Sequence, residues 1–194
     1  MERSNRIRNS EKGTTLLEVM VASVLLTTGL IAACLTVGAG ILSMHISKQQ
    51  LTAKQKAREA LESVFMARNT QNIVFNQIRN VSDTTTFTPP VAGIFIDGWQ
   101  AIRAVGADGI ANTADDATEP IETVTLPGSD DLVGTADDEV RLLTNFERRI
   151  TLTSVLLANG NPDPDVRQII VEVRYELHGI WRTLRVASLV SRFT

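Results

Sequence analysis

Lys12-Gly13-Thr14-Thr15-Leu16-Leu17-Glu18-Val19-Met20 introduces the stretch on which the fold turns. From Val19 to Met44 there follow 26 residues without a Lys, Arg, Asp or Glu, and Glu18 is the only acidic or basic residue between Lys12 and Lys48, His45 aside. As a helix, such a run is about 39 Å long at about 1.5 Å rise per residue, enough to cross a ~30 Å hydrocarbon core with some tilt. A carboxylate driven to the bilayer centre costs about 2.5–3.5 kcal/mol, so Glu18 needs both a function and a partner.

Before this run stand Arg3, Arg6, Arg8 and Lys12, set against Glu2 and Glu11. Positive charge next to an apolar helix keeps its flank cytoplasmic and sends the other end outward. An ordinary secretory signal has an apolar region of roughly 7–15 residues ending at a small-residue cleavage site, which this run exceeds. Ile31-Ala32-Ala33-Cys34 resembles a lipoprotein processing box, but Leu35 to Met44 stays apolar where a lipoprotein turns polar. Cys34 reads instead as a small apolar residue on a membrane helix.

Beyond the run the charge is uneven. Residues 83–139 hold twelve acidic side chains and one basic, Arg103, while residues 140–194 hold eight Arg and five acids. The acidic middle argues against a nucleic-acid partner, which would demand a basic patch on the folded domain. One cysteine allows no internal disulfide and no Cys-based metal site. Neither His45, just past the apolar run, nor His178, in a turn, has the company of a nucleophile and an acid, so no enzymatic constellation can be assembled.

After Met44 the helical pattern turns polar. Ala57, Ala60, Leu61, Val64 and Phe65 form one apolar stripe expected to lie on a sheet, with Lys54, Arg58 and Glu62 turned to solvent. Arg68 to Asn72 reads as a break, Ile73 to Arg79 as a further short helix, and Ser82 to Pro90 as a loop. The C-terminal part is β. Gln168 to Leu177 alternates, and His178-Gly179 is a two-residue turn that sets Leu177 opposite Ile180, Val173 opposite Leu184 and Val171 opposite Val186. On the other face Glu172 is expected to pair with Arg185. Phe146 to Leu157 is a third strand.

Gly106-Ala107-Asp108-Gly109-Ile110-Ala111-Asn112-Thr113-Ala114-Asp115-Asp116 recurs 22 residues later as Gly128-Ser129-Asp130-Asp131-Leu132-Val133-Gly134-Thr135-Ala136-Asp137-Asp138. Such loops can gather the roughly 6–8 oxygens that Ca²⁺ takes, or can be turns whose carboxylates cap their own backbone. The copies resemble bacterial calcium loops of the Asp-Gly-x-x-Gly-Thr-x-Asp-Asp kind. On that reading the ligands are Asp108, Asp115 and Asp116, then Asp130, Asp137 and Asp138; no cofactor is otherwise required.

The opening segment resembles the processing site of type IV pilins and of the pseudopilins of type II secretion. The resemblance implies cleavage after Gly13 by the prepilin peptidase, methylation of the new amine at Thr14 (where the family usually has Phe), and Glu18 as the assembly glutamate. It implies residues 1–13 as leader, 14–44 as transmembrane assembly helix, 45–80 as its extracytoplasmic continuation, and 81–194 as an extracytoplasmic β domain carrying loops 106–116 and 128–138. The fold expected is α+β, a long N-terminal helix packed on an antiparallel sheet. The partners implied are other pilin or pseudopilin subunits, the peptidase and methyltransferase, the inner-membrane assembly platform and the lipid bilayer. Phe146, Arg148 and Ile150, followed by the hairpin, resemble the minor-pilin branch. A membrane-anchored binding module that never assembles is the rival from another class.

Overall fold

The protein is described here by a computed structural model covering residues 16–193. It divides between His45 and Ile46 into two compact units. Helix α1, Leu16–Asn69, is 54 residues long and supplies the described part of the first unit and the opening element of the second. The architecture is α+β.

In the first unit every residue from Leu16 to His45 is exposed, so no protein core accounts for Leu25, Leu26, Ile31 or Leu35. This part of α1 is long and apolar enough to cross a membrane by length and composition. Its hydroxyls are dealt with internally. Ser23, Thr27, Thr28 and Thr36 donate to the carbonyls of Met20, Ser23, Val24 and Ala32 at 2.8, 2.9, 2.5 and 2.8 Å. Such back-bonding lets a hydroxyl sit in an apolar medium without an orphaned donor.

In the second unit α1 buries Ala53, Ala57, Ala60, Val64 and Ala67, a 4-3-4-3 spacing that keeps one meridian inward. Leu61 and Phe65, expected on that meridian, are only partly buried beside it. Alanines let the helix backbone approach its neighbours closely, and the larger side chains flank the seam. Lys54, Arg58 and Glu62 are exposed as expected. Gln71, at φ 61°, closes the helix while the Asn72 N–H donates back to Ala67 O at 2.9 Å, a left-handed cap satisfying a terminal carbonyl.

Of the short helix expected over 73–79, only a 3₁₀ turn at Phe75–Gln77 forms. Arg79 turns inward instead, 2% exposed, and organises the loop beyond it. Its Nε donates to Asn76 O and an Nη to Thr85 O, both at 2.8 Å, and another Nη reaches Val91 O. The guanidinium stacks 4.5 Å from the Phe87 ring. Residues 82–90 carry no regular structure but are pinned from inside.

The strands are β1 Gln100–Ala101, β2 Thr123–Leu126, β3 Glu139–Leu142, β4 Phe146–Leu156, β5 Pro162–Leu177 and β6 Ile180–Ser191. The main sheet runs β1-β4-β5-β6 with every pairing antiparallel, and β2-β3 form a separate two-stranded sheet. The expected register holds at Leu177–Ile180, Val173–Leu184 and Val171–Val186. Both turn residues take positive φ, His178 at 53° and Gly179 at 77°, as a tight hairpin of the right twist requires. Glu172 also stands opposite Arg185 as expected, but its salt bridge goes to the strand on the other side. Glu172 lies between two strands that each present an Arg, and it accepts from Arg149 on β4 at 2.6 Å, on the outward face of the sheet.

One core joins Ala57, Ala60 and Val64 of α1 with Ile150, Ile169, Val171 and Val173 of the sheet. Asn80 finishes the margin of β4 where the two-residue β1 stops. Its Nδ2 donates to Ile150 O and its Oδ1 accepts from Leu152 N, both at 2.8 Å, so a side-chain amide stands in for a neighbouring strand. Lys56 on α1 ties down the start of β2 through Glu122 at 2.5 Å.

Candidate functional site

Glu18 lies in the first turn of α1, where a negative charge complements the helix dipole. It is exposed and forms no ion pair among the described residues. Gly13 and Thr14, the expected cleavage and methylation positions, lie outside the described residues. Gly29, Gly38 and Gly40 face open space, with nothing within 4 Å of where a Cβ would stand, so packing within the chain does not demand them.

The two acidic loops are one structure built twice. In the first, Ile110 N donates to Asp108 Oδ1 and Asn112 N to Asp116 Oδ2, at 2.8 and 2.6 Å. Thr113 Oγ1 bridges Ile110 O at 3.1 Å and Asp115 Oδ1 at 2.6 Å. Shifted by 22 residues, Leu132 N donates to Asp130 Oδ1 at 2.9 Å and Gly134 N to Asp138 Oδ2 at 2.6 Å. Thr135 Oγ1 bridges Leu132 O at 3.3 Å and Asp137 Oδ1 at 2.7 Å. Left-handed backbone recurs in register at Gly109 and Asp131, and at Asn112 and Gly134. A Cβ on Gly106 would overlap the Asp115 carboxylate, and one on Gly128 the Asp137 carboxylate, so both openings of the repeat require glycine.

These contacts set the charges. Hydrogen bonds from Thr113 and from the Asp108 N–H hold the Asp115 pKa below its ordinary value. The hydroxyls of Thr135 and Ser129, with the Ser129 N–H, bring Asp137 down to about 2. Asp116 moves the other way, because burial raises its pKa more than the N–H groups of Gly106 and Asn112 lower it. Asp108, Asp115, Asp116, Asp130, Asp137 and Asp138 thus spend oxygens on the loops' own donors. Among the described residues no three Asp, Glu, His or Cys side chains are grouped to hold a metal ion.

What differs between the copies is burial. Ile110, Ala111, Asn112, Thr113 and Asp116 are buried, and Ala111 N donates to Ser63 Oγ of α1 at 3.2 Å. The second loop, at the tip of the β2-β3 hairpin, is exposed.

Arg148 escaped the sequence reading as a site residue. It is 3% exposed on β4 between Phe146 and Ile150, and lines a cavity of about 210 Å³ with Gln100, Arg103, Asn112 and Asp116. Burial lowers its pKa, and the fields of Glu122, Asp116 and Glu59 oppose that. The legible signal was an arginine on the inward parity of an alternating strand. The outward face carries a stack in which Arg149 and Arg174 lie 4.5 and 4.4 Å from the Trp99 ring, and Arg174 lies 4.5 Å from Trp181. Both arginines are held by carboxylates, Arg149 by Glu172 and Arg174 by Glu147, so the stack fastens strands together.

No family model, no curated protein and no solved structure matches this chain.

Proposed function

We propose that the chain is a prepilin-like subunit, inserted in the inner membrane with its N-terminus cytoplasmic, cut after Gly13, and assembled through α1 into a pilus or pseudopilus. The observation that carries the reading is the order basic leader, Gly13, Glu18 and an uncharged run of 26 residues, leading in an unbroken helix to a unit with an antiparallel sheet. Glu18 has no ion-pair partner of its own among the described residues, and the new amine at Thr14 of a neighbour supplies one. Two unit charges about 4 Å apart attract by about 4 kcal/mol at an effective dielectric near 20, which offsets much of the cost of placing the acid in lipid. The minor-pilin branch, acting in initiation, adhesion or modification, is favoured by Phe146, Arg148 and Ile150 ahead of the hairpin. A type II secretion pseudopilin shares the same processing. Neither role involves a catalytic step.

The test is Glu18→Ala with intact-mass analysis of the membrane-extracted chain. The expected result is insertion, loss of residues 1–13 and one added methyl, but no entry into filaments. An uncut chain, or a variant that still enters filaments normally, overturns the reading.

A further inference from the structure

The duplicated loop offers its own control. One copy is docked: Ile110 and Ala111 are 0% and 1% exposed against α1. The other holds the same hydrogen-bonded shape, yet the equivalent Leu132 and Val133 are 61% and 67% exposed. A solvated turn has no use for two adjacent branched apolar side chains, since Asp, Asn, Ser and Gly serve its backbone better. The surface that receives the first copy is α1 itself, near Ala60 and Ser63.

We infer that loop 128–138 is a docking plug for a second copy of this chain, seating Leu132 and Val133 on the outer face of α1 at Leu51, Lys54 and Arg58. That face is a groove of about 440 Å³ in which Leu51 is 66% exposed. Glu59 and Glu62 also line it, but Glu59 is held by Lys56 at 2.7 Å. Lys54 and Arg58, which form no ion pair among the described residues, thus outnumber the remaining Glu62, whereas the loop brings Asp130, Asp131, Asp137 and Asp138 with no basic residue between 128 and 138. Opposite charge around an apolar centre is how interfaces choose partner and register. The same four acids oppose contact with an anionic membrane surface. Plug and groove are different surfaces, so the contact is head-to-tail and propagates instead of closing on itself as a two-fold pair would. The inference deepens the subunit reading above and rests on it.

The experiment uses the full-length chain with Cys34→Ser, carrying either Val133→Cys or Gln55→Cys, the two co-expressed and oxidised in membranes. A disulfide-linked dimer is expected from the mixture and from neither variant alone. Adding Leu132→Asp to the Val133→Cys chain is expected to slow cross-linking about fifty-fold. Lys54→Glu with Arg58→Glu is expected to abolish it, and Asp130→Lys with Asp131→Lys on the opposite chain to restore it. Tryptophan-monitored unfolding is expected to stay unchanged in all of these. Absence of the mixed dimer, or a cross-link indifferent to Leu132→Asp and to charge reversal, overturns the docking. So does a fluorophore at Val133→Cys that reports an apolar setting at one chain per phosphatidylcholine–phosphatidylglycerol vesicle, because lipid then covers the loop. Normal cleavage after Gly13 without cross-linking removes the docking alone; cross-linking in an uncut chain removes the subunit reading and leaves the contact standing.

Discussion

Asp116→Ala and Asp138→Ala are the same substitution at equivalent places in two copies of one loop, and they should differ severalfold in cost. Asp116 accepts from the N–H groups of Gly106, Asn112 and Thr113 at 2.8, 2.6 and 3.4 Å. Asn112 and Thr113 are each 3% exposed, so water cannot readily replace the lost acceptor. Leaving a buried donor unsatisfied costs about 1–3 kcal/mol, and two such donors, with one negative field withdrawn from Arg148, give about 3–5 kcal/mol. Asp138 accepts from Gly134 N, which is exposed, and its loss should cost about 1 kcal/mol or less. For a unit of this size, about 4 kcal/mol corresponds to a fall in melting temperature of roughly 10 °C, against about 3 °C or less for Asp138→Ala. Trp99 and Trp181 both lie in the second unit, so tryptophan fluorescence of the full chain in detergent follows its unfolding apart from residues 16–45 of α1. Equal shifts for the two variants would refute the argument that burial, and not the loop's own hydrogen bonds, sets the cost.

Arg79→Met is expected to release the loop over residues 82–90, because the guanidinium holds Thr85 O and Val91 O and pairs with Asp83 at 3.5 Å. Limited proteolysis should cut there at least tenfold faster than in the parent chain; an unchanged rate would show the loop is held by other contacts. Acid titration should separate two kinds of carboxylate. Asp83, Asp115, Asp137 and Glu139 have lowered folded-state pKa values, so what they contribute is present above the ordinary carboxylate range and lost as pH falls, for Asp137 between 3.8 and about 2. Asp116 has a raised value and acts with the opposite sign, adding stability as pH falls through its folded pKa towards 3.8. Thr135→Val removes the largest cause of the Asp137 shift, and carboxyl NMR should show that residue titrating closer to 3.8; no movement would sink the assignment.

The β5-β6 hairpin was legible because a two-residue turn leaves only one register in which both strands bury their apolar parity. Glu172 sits opposite Arg185 as that register requires, but its salt-bridge partner was not legible: a hairpin reading sees one neighbour of a strand, while the sheet gave β5 a second one carrying Arg149. Strands β1 to β3 stayed hidden, since two to four residues amid acidic loops are too few to display a period. Spacing revealed the loop repeat, but not which copy is buried, because that depends on whether α1 offers Ser63 and a small-residue seam opposite. Arg79 and Arg148 resisted reading for the general reason that arginines are nearly always outside unless a fold supplies acceptors or counter-charges, and those here come from distant segments.

Asn80 has a consequence for solubility. The carboxamide already fills the main-chain positions of Ile150 and Leu152 that an intruding polypeptide would need, and it does so from a side chain that is 9% accessible. Lateral growth of the sheet into aggregates is therefore blocked along that border by a single group. Any ordered polymer this protein forms must use other surfaces, and an Asn80→Leu chain should lose monodispersity before it loses its fold.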